Sequence, residues 1–359
     1  MLMQHSSARF IPVPTLHPAP SEHPRFTRRA ISLLCAFAFI LTLTPAQAQR
    51  IKTIVSFGDS LSDTGNVATL TQAKYGIRIP GPLADYTDGR YTDGTDTVPA
   101  AHAYNGVWLE QFSSMLRAKP PVINSLAGGS NYAYGSAEVG NGTTPFTFGT
   151  GNALFVNVDN VGQQITSYLA TSPKIHGKTL FVVWGGANDL LSTFSQTVVV
   201  QAAIQQAFNV QRLIDAGARN ILILNLPPLG AIPSLNMTPY SVPFTQATIL
   251  YNQTLDAALA ILRHGNDDDD LSIKRLDIFN LFNQVIANPA AFSLANVTSS
   301  SQFNYVVNPD TYLFWDGLHP TTHVHNLIAL SALTLLYPDA CEAHAPSHQV
   351  CERIEQAIH

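Results

Sequence analysis

The chain has 359 residues, of which 46% are hydrophobic and 12% are charged, so it can build a sizeable core in one large domain or two ordinary ones. Its formal net charge is −5, and no cluster of lysine and arginine follows the N-terminal segment. These numbers exclude the electrostatic footprint of a nucleic-acid-binding protein and a basic face for anionic membranes, so we expect neither as a partner.

The first 48 residues have the order of a secretory signal. Three arginines precede an apolar run over residues 30–43, and the small-residue cleavage signal Ala46-Gln47-Ala48 follows it. A membrane anchor is the alternative, but fourteen residues are short of the roughly 20 that a membrane span needs. We predict that residues 1–48 are a signal peptide with a disordered N-terminal extension, cleaved after Ala48, and that the protein is secreted or periplasmic. The pair Arg28-Arg29 leaves Sec and twin-arginine export both open.

Beyond residue 50, short β-branched runs alternate with longer helical patterns, which predicts parallel strands joined by helical crossovers. The predicted strands cover residues 52–57, 122–126, 179–184, 220–225 and 271–278. The predicted helices cover residues 106–116, 161–170, 197–216, 245–263, 281–287 and 322–336. A run such as TLFVVW is typical of a strand buried on both faces, although the same letters also fit a buried helix segment.

Nothing in the composition marks a second domain, because no internal repeat or low-complexity linker follows residue 50. We therefore predict one domain over residues 49–359. Three stretches read as long loops, which are usually functional or disordered: residues 80–105, 138–157 and 299–310. The acidic run 267–270 is interpreted as a solvated turn, and a calcium site is the less favoured alternative.

The letters Gly-Asp-Ser at residues 58–60 follow the first predicted strand. Ligands gather at the carboxyl ends of parallel strands. A helix beginning near Ser62 would place its N-terminal amides beside the Ser60 hydroxyl. A turn that caps a helix explains the same letters, so Ser60 is a candidate nucleophile only if a base can take its proton.

The best candidate for that base is His319. It lies three residues after Asp316 and directly before an amphipathic helix. Pro320 forces the chain to turn, so the carboxylate can fold back onto the Nδ1–H of the imidazole and leave Nε2 pointing outward as an acceptor. Ser60, His319 and Asp316 are therefore the candidate nucleophile, base and orienting residue.

Donors for a tetrahedral oxyanion are available at two other strand ends. Asn188 follows the third strand in a glycine-rich turn, where its side-chain amide can emerge at the carboxyl edge of the sheet. Gly135 and Ser136 follow the second strand and can present backbone N–H groups. Each of these turns alone could have only a structural role. Three such turns at the ends of successive strands, including the one at Ser60, favour an active site.

With these blocks in place, the chain resembles the GDSL, or SGNH, family of serine esterases and lipases over most of residues 51–335. The nucleophile block is FGDSLSDTGN and the glycine block is NYAYGSA. The other two blocks are Gly-x-Asn-Asp at residues 186–189 and Asp-x-x-His-Pro at residues 316–320. Supporting matches are GRYTDG…VWLEQ, NLPPLGAIP and YNQTL. Four ordered blocks are far more specific than any one of them.

The resemblance implies a flavodoxin-like three-layer α/β/α sandwich with five parallel strands. It implies ester hydrolysis through an acyl-enzyme without a cofactor, and an oxyanion hole built from the nucleophile's own N–H, a glycine N–H and the asparagine side chain. Relatives often carry Gly-Gly where this chain has Gly135-Ser136, so which of the two amides serves stays open. A backbone donor survives such a replacement unless the position needs a positive φ, and we expect activity to be retained.

Three other interpretations remain at this stage. His319, His323 and His325 stand within seven residues beside Asp316 and could form a metal site. A non-catalytic carbohydrate-binding protein could use four aromatic residues for stacking on sugars, although lid or core packing explains the same residues: Tyr86, Tyr91, Tyr104 and Trp108. Transfer of the acyl group to an alcohol would need the same residues as hydrolysis. The sequence does not fix the acyl chain or the alcohol of a small-molecule or lipid ester substrate, or the oligomeric state.

The cysteine count bears on the exported form. Removal of residues 1–48 takes away Cys35 and leaves Cys341 and Cys351, an even pair near the C-terminus. An oxidising compartment favours a bond between them, so we predict a disulfide that closes the C-terminal tail. Two free buried thiols are the alternative.

Overall fold

The computed structural model describes residues 51–94, 104–193, 195–266, 268–304 and 307–358. The predicted signal peptide lies outside these residues. The strands are β1 (Thr53–Gly58), β2 (Thr143–Phe148), β3 (Leu154–Asp159), β4 (Thr179–Trp184), β5 (Asn220–Leu224), β6 (Ser272–Leu276), β7 (Asn296–Ser300) and β8 (Tyr312–Phe314).

The predicted helices begin and end within about four residues of the bounds that hydrophobic periodicity and glycine signals indicate. The helices are α1 (Asn66–Tyr75), α2 (Trp108–Leu116), α3 (Val161–Ala170), α4 (Ala187–Ser192), α5 (Gln196–Asp215), α6 (Ser241–His264), α7 (Ile278–Ala287), α8 (Thr322–Leu336) and α9 (His348–Ile358). The helix expected near Ser62 begins instead at Asn66, because residues 59–65 form a separate turn. Helices α4 and α9 were not predicted.

The central sheet is parallel, with strand order β1-β4-β5-β6. A further segment runs parallel to β1 on its open edge. Ser56 N–H donates to the carbonyl of Ser130, and Tyr132 N–H donates to the carbonyl of Ser56. Counting this segment second along the chain, the spatial order is 2-1-3-4-5, which is the flavodoxin-like order expected from the family resemblance.

The second strand was predicted in the wrong place. Residues 122–126 are irregular, and a 3-10 turn covers Ser125–Ala127. The segment that pairs with β1 lies about eight residues further on. It forms an isolated bridge between Ser56 and Asn131 and one further hydrogen bond, from Tyr134 N–H to the carbonyl of Gly58. The regular sheet therefore has four strands, and the fifth position is held by an irregular edge segment.

Strict alternation along the buried strands sorts their side chains onto two faces. One face packs against α2, α7, α8 and α9 and includes Leu180, Val182 and Trp184 of β4. The other face packs against α3, α5 and α6 and includes Phe181 and Val183 of β4. Two hydrophobic cores on opposite sides of one sheet make the three-layer α/β/α sandwich that the resemblance implies.

The stretch 138–157, predicted as a loop, contains most of an antiparallel hairpin of β2 and β3. Its inward residues form a third small core with Val67 and Tyr91. These inward residues alternate with exposed ones, as in a strand with one buried face: Phe146, Phe148, Val156 and Val158. The hairpin covers the edge of the molecule next to the irregular segment and α1.

The C-terminal tail carries the predicted disulfide between Cys341 and Cys351, whose Cα atoms are 5.8 Å apart. The bond links a 3-10 segment to α9. Helix α9 buries one apolar face in the core that α7 and α8 also line, through residues that include Val350 and Ile354. No helix within the described residues is long and apolar enough to cross a membrane.

Candidate active site

The site lies at the carboxyl ends of β1 and β4, the neighbouring strands at the point where the strand order reverses. Gly58 ends β1, and a Cβ atom there would lie 2.5 Å from the carbonyl oxygen of Trp184, so only glycine lets the two strand ends approach this closely. Residues 59–65 fold into a tight turn (the nucleophile turn), in which the N–H groups of Ser62 and Asp63 donate to the carbonyl of Asp59. Ser60 therefore projects from the end of the sheet, with 9% of its surface exposed.

His319 and Asp316 reach the same place from the turn between β8 and α8. The Oδ1 atom of Asp316 accepts the backbone N–H groups of Leu318 (2.7 Å) and His319 (2.6 Å), which folds the carboxylate back against the chain. Its Oδ2 atom lies 2.7 Å from Nδ1 of His319. The turn thereby fixes the plane of the imidazole.

The structure brings Ser60, His319 and Asp316 together. Nε2 of His319 lies 2.9 Å from Oγ of Ser60, across a separation of 259 residues. A carboxylate can only accept hydrogen bonds, so Nδ1 carries the proton that points at Asp316 and Nε2 of the neutral ring is an acceptor for the serine O–H. This is the arrangement in which a serine can be activated as a nucleophile.

Burial and hydrogen bonding have opposite effects on the carboxylates around this imidazole. Burial alone would raise the pKa of Asp316, but the charge of His319 and hydrogen bonds from His319 and Tyr86 outweigh it and lower that pKa to about 2. Burial raises the pKa of Asp59 to about 6, against the opposing effects of the Leu61 N–H and His319. Asp316 is therefore the carboxylate that stays ionised beside His319 across the neutral pH range.

The candidate oxyanion donors differ in whether they are already bonded. Gly135 N–H donates to Oδ2 of Asp63 at 3.0 Å, so it is engaged elsewhere. Among the described residues, neither Ser60 N–H nor Ser136 N–H has a hydrogen-bond acceptor. Asn188 Nδ2 uses one hydrogen on the carbonyl of Ala137 at 2.9 Å and has a second to offer. This pattern favours Ser136 over Gly135 as the backbone donor.

The backbone at Ser136 has φ of 65°, in the left-handed region. Glycine adopts this conformation without a steric penalty, whereas serine at position 136 costs about 1–2 kcal/mol of strain. Gly135 is restricted for another reason, because a Cβ atom on it would collide with the hydroxyl of Tyr91. Our expectation that serine is tolerated at 136 assumed no positive φ, and that assumption is wrong.

Asp63 holds this corner together and was not singled out from the sequence. Its Oδ1 atom accepts the N–H groups of Gly65 and Asn66, both at 2.7 Å, at the start of α1. Its Oδ2 atom accepts Gly135 N–H, so one buried side chain ties the nucleophile turn to the glycine block. The only sequence signal was its place four residues after Asp59 in the same motif.

The histidines considered for a metal site do not converge. The ring of His323 stacks on Tyr104, with centroids 4.8 Å apart, and its Nδ1 bonds to the carbonyl of Asp310. His325 is fully buried, and burial, together with the charge of His319, lowers its pKa to about 3. No group of three His, Cys, Asp or Glu side chains in the described ranges is arranged to hold a metal ion.

The aromatic residues considered for sugar stacking serve mainly as packing. Trp108 is fully buried, and its Nε1 donates to Oγ of Ser62 at 3.1 Å. Tyr91 is also buried and lies against the ring of His319, with centroids 5.0 Å apart. Neither ring face is accessible to a sugar. Tyr86 has a more specific contact, because its hydroxyl donates to Oδ2 of Asp316 at 2.6 Å.

A small apolar pocket of about 50 Å³ opens beside Ser60 and His319. Hydrophobic side chains from α4, the β5–α6 connection, α7 and β8 form its walls: Leu191, Leu229, Ile232, Phe282 and Phe314. Asn188 also lines it. A polar, hydrogen-bonded edge next to an apolar cleft suits a molecule with one reactive polar group and an apolar arm.

A buried carboxylate next to this site makes stability depend on pH. Burial, together with the charge of Glu138, raises the pKa of Asp189 to about 7. A carboxyl with a raised pKa in the folded state contributes its full stability below its unfolded pKa, near 4, and this contribution is lost as the pH rises from about 4 through about 7. Asp189→Asn keeps an acceptor for Val139 N–H, which Asp189 accepts at 3.1 Å, but cannot ionise.

We expect the free energy of unfolding of Asp189→Asn, taken relative to wild type, to be about 2–3 kcal/mol higher at pH 9 than at pH 5, at 1.36 kcal/mol per pKa unit. Chemical denaturation at both pH values measures the difference. The exposed residue Asp215, changed to asparagine, is the matched control and leaves the two curves as in wild type. An equal difference at pH 5 and pH 9 would contradict the buried ionisation.

The chain is similar in sequence to a known protein family and to several characterised or named proteins. A family model described as GDSL-like Lipase/Acylhydrolase matches residues 54–331. The "uncharacterized protein in trpE-trpG intergenic region" of Pseudomonas putida is 27% identical, covering 87% of this chain and 52% of that protein. A phosphatidylcholine-sterol acyltransferase of Aeromonas hydrophila is 24% identical, covering 79% of this chain and 89% of that protein.

Among solved structures, a member of the lipolytic protein G-D-S-L family from Veillonella parvula aligns with 79% of this chain and 96% of its own. The identity is 13% and the TM-score is 0.40. The chain spans about half the length of the Pseudomonas putida protein.

Proposed function

The chain belongs to the GDSL-like lipase/acylhydrolase family, and we propose that it is a secreted or periplasmic serine hydrolase that cleaves carboxylic esters through an acyl-enzyme on Ser60. The observation that carries the proposal is the continuous chain of short contacts from Ser60 Oγ to His319 Nε2 and from His319 Nδ1 to Asp316 Oδ2. The decisive experiment is p-nitrophenyl ester hydrolysis by wild type and by Ser60→Ala.

In the proposed mechanism, His319 takes the proton of Ser60 as the hydroxyl oxygen attacks the ester carbonyl. The new C–O bond makes a tetrahedral intermediate, and the imidazolium then gives its proton to the departing alcohol. Water, deprotonated by the same imidazole, releases the acid from the acyl-enzyme. Asp316 remains ionised throughout because its pKa is lowered to about 2, so it can stabilise the imidazolium in both half-reactions.

The tetrahedral oxyanion is assigned to three donors: Ser60 N–H, Ser136 N–H and Asn188 Nδ2. Two of them are backbone groups without another acceptor among the described residues, and the third has a spare hydrogen. Donors that are already in place cost no reorganisation when charge develops on the oxygen. The strain at Ser136 is consistent with a backbone held in an unusual conformation to aim its N–H.

The apolar pocket beside Ser60 is proposed to receive the acyl chain, and its small volume favours short chains. Leu191→Phe narrows it from the side of α4. We expect this change to lower kcat/KM for p-nitrophenyl butyrate about tenfold more than for the acetate, because a filled pocket rejects added methylenes. The matched control is Leu262→Phe, near the far end of α6. An unchanged butyrate-to-acetate ratio would place the acyl chain elsewhere.

Acyl transfer to an alcohol is the second candidate, favoured by the similarity to the Aeromonas acyltransferase. Both functions share the acyl-enzyme and differ only in the acceptor that attacks it. The ratio of transfer product to free acid, measured with increasing alcohol in water, separates them. Transfer that dominates at low alcohol concentration identifies an acyltransferase.

A further inference from the structure

The phenol of Tyr86 is bonded to the carboxylate of the proposed triad. We propose that Tyr86 is a positioning residue that holds Asp316 and limits its basicity, so that His319 releases its proton readily to the departing alcohol. This inference rests on the proposed function, because it concerns how that triad is tuned. Tyr86 takes part in no step of the proposed mechanism described above, so this role is additional to it.

The hydrogen bonds on Asp316 are complete only with Tyr86. Oδ1 accepts the backbone N–H groups of Leu318 and His319. Oδ2 accepts His319 Nδ1–H at 2.7 Å and the Tyr86 hydroxyl at 2.6 Å. Because a carboxylate cannot donate, the phenol is the donor. Tyr86 therefore shares one oxygen atom with the catalytic imidazole.

The ring of Tyr86 is held in this position from several sides. It makes edge contacts with Trp315, the neighbour of Asp316, and with Tyr91, at centroid distances of 6.3 and 6.4 Å. Gln302 Nε2 donates to the carbonyl of Ala84, two residues before the tyrosine, at 2.8 Å. The hydroxyl is thus delivered by a packed aromatic ring and not by a free surface side chain.

The same loop is also hydrogen-bonded to the chain directly after His319, in the turn between β8 and α8 (the histidine turn). Thr92 Oγ1 donates to the carbonyl of Pro320 at 3.0 Å. The carboxylate of Asp93 accepts the N–H of Thr322 at 2.7 Å and its hydroxyl at 2.9 Å. These contacts come from the GRYTDG motif, so the motif holds the loop that carries Tyr86 against the histidine turn.

Two consequences follow for the chemistry. A phenol hydrogen bond draws charge from Oδ2, so without it the carboxylate binds the imidazolium more strongly. The imidazole then keeps its proton to higher pH and gives it up less readily to the alcohol. The slower transfer of the proton to the departing alcohol lowers kcat, while substrate binding is left nearly unchanged.

Other titratable groups also face His319. Asp59 lies on the nucleophile turn, and burial raises its pKa to about 6, so it contributes to the acid limb of the pH profile. His325 on α8 stays uncharged above about pH 4, since burial lowers its pKa to about 3. Burial raises the pKa of Tyr91 well above its usual range, and the same holds for Tyr86. Tyr86→Phe leaves Asp59 and His325 in place, and neither tyrosine ionises between pH 5 and pH 9, so a shift in the acid limb reports on Asp316 and His319.

The experiment compares Tyr86→Phe with wild type over pH 5–9 on p-nitrophenyl acetate. We expect kcat to fall about 3- to 30-fold, KM to stay within about twofold, and the midpoint of the acid limb to rise by about 0.5–1 pH unit. The matched control is Tyr75→Phe, which removes a phenol hydrogen bond from the carbonyl of Phe155, away from the site. It leaves all three quantities as in wild type.

An unshifted limb with unchanged kcat overturns the inference, and so does a fall in thermal stability alone, which would mark a purely structural bond. A raised KM with unchanged kcat would instead mark a contact with substrate and also overturns it. Failure of the proposed function is distinguishable, since it appears as activity retained in Ser60→Ala. If Ser60→Ala is inactive and Tyr86→Phe behaves as wild type, only the role of Tyr86 is wrong.

Discussion

Replacement of Ser60 by alanine is expected to lower kcat for p-nitrophenyl acetate and butyrate by about 10⁴-fold or more, to the level left by binding and the oxyanion donors alone. The change removes the single oxygen atom that lies 2.9 Å from His319 Nε2. The surrounding turn is held by backbone bonds to the carbonyl of Asp59, which alanine does not disturb. The free energy of unfolding should therefore change by less than about 1 kcal/mol.

The matched control is Ser62→Ala, two residues further along the same turn. It leaves the buried Nε1 of Trp108 without its acceptor, so it should cost about 1–2 kcal/mol of stability while kcat stays near wild type. An organophosphonate should label wild type at Ser60 and leave Ser60→Ala unmodified, as read by mass spectrometry. Turnover that persists in Ser60→Ala, or a label on another residue, would contradict the assignment.

The buried centre of the fold was predictable because its signal is strong and local. The runs over β4 and β5 are continuously apolar and β-branched, as a strand covered on both faces requires. The edge position was not predictable by the same rule. Ile123 and Leu126, which made residues 122–126 look like a strand, are 44% and 46% exposed. The segment that pairs with β1 contains the polar Asn131 instead.

Side-chain hydrogen bonds explain that choice of edge segment. Asn131 Nδ2 donates to the carbonyl of Ser62 at 2.6 Å and to Oγ1 of Thr64 at 3.0 Å, so it is stabilised by the nucleophile turn and not by hydrophobic burial. Such a contact joins residues nearly 70 positions apart and leaves no periodic trace. The β2–β3 hairpin, in contrast, did leave an alternating pattern, which glycine-rich flanks obscured.

The residues of the candidate site also differ in whether the sequence alone can reveal them. Residue types and spacing identified Ser60, His319 and Asp316, because the chemistry needs those groups and the turn at Pro320 brings the last two together. Tyr86 and Asp63 act through hydrogen bonds that depend on the folded backbone, so their letters alone gave no sign of these roles. The preference for Ser136 over Gly135 likewise depends on which N–H the Asp63 carboxylate occupies.

Replacement of Asp316 by asparagine is expected to lower kcat by about 10³- to 10⁴-fold while Ser60 and His319 remain in place. The carboxylate accepts two hydrogen bonds on each oxygen, whereas an amide has one oxygen and one NH₂ group. With the NH₂ facing His319, Nδ1 becomes the acceptor and Nε2 carries the hydrogen, so the ring can no longer take the serine proton. With the NH₂ facing the backbone, it opposes the N–H groups of Leu318 and His319.

The same substitution is expected to lower the free energy of unfolding more at neutral pH than at low pH. Because the folded state lowers the pKa of Asp316 to about 2, its charge stabilises the fold above about pH 4, and this contribution is lost as the pH falls through about 2. Asp316→Asn should therefore cost about 2 kcal/mol more at pH 6 than at pH 2, measured by denaturant unfolding. Asp256→Asn, which removes a remote carboxylate paired with Arg275, is the control for activity and should keep wild-type kcat. Near-wild-type kcat in Asp316→Asn would mean that His319 is oriented by another group.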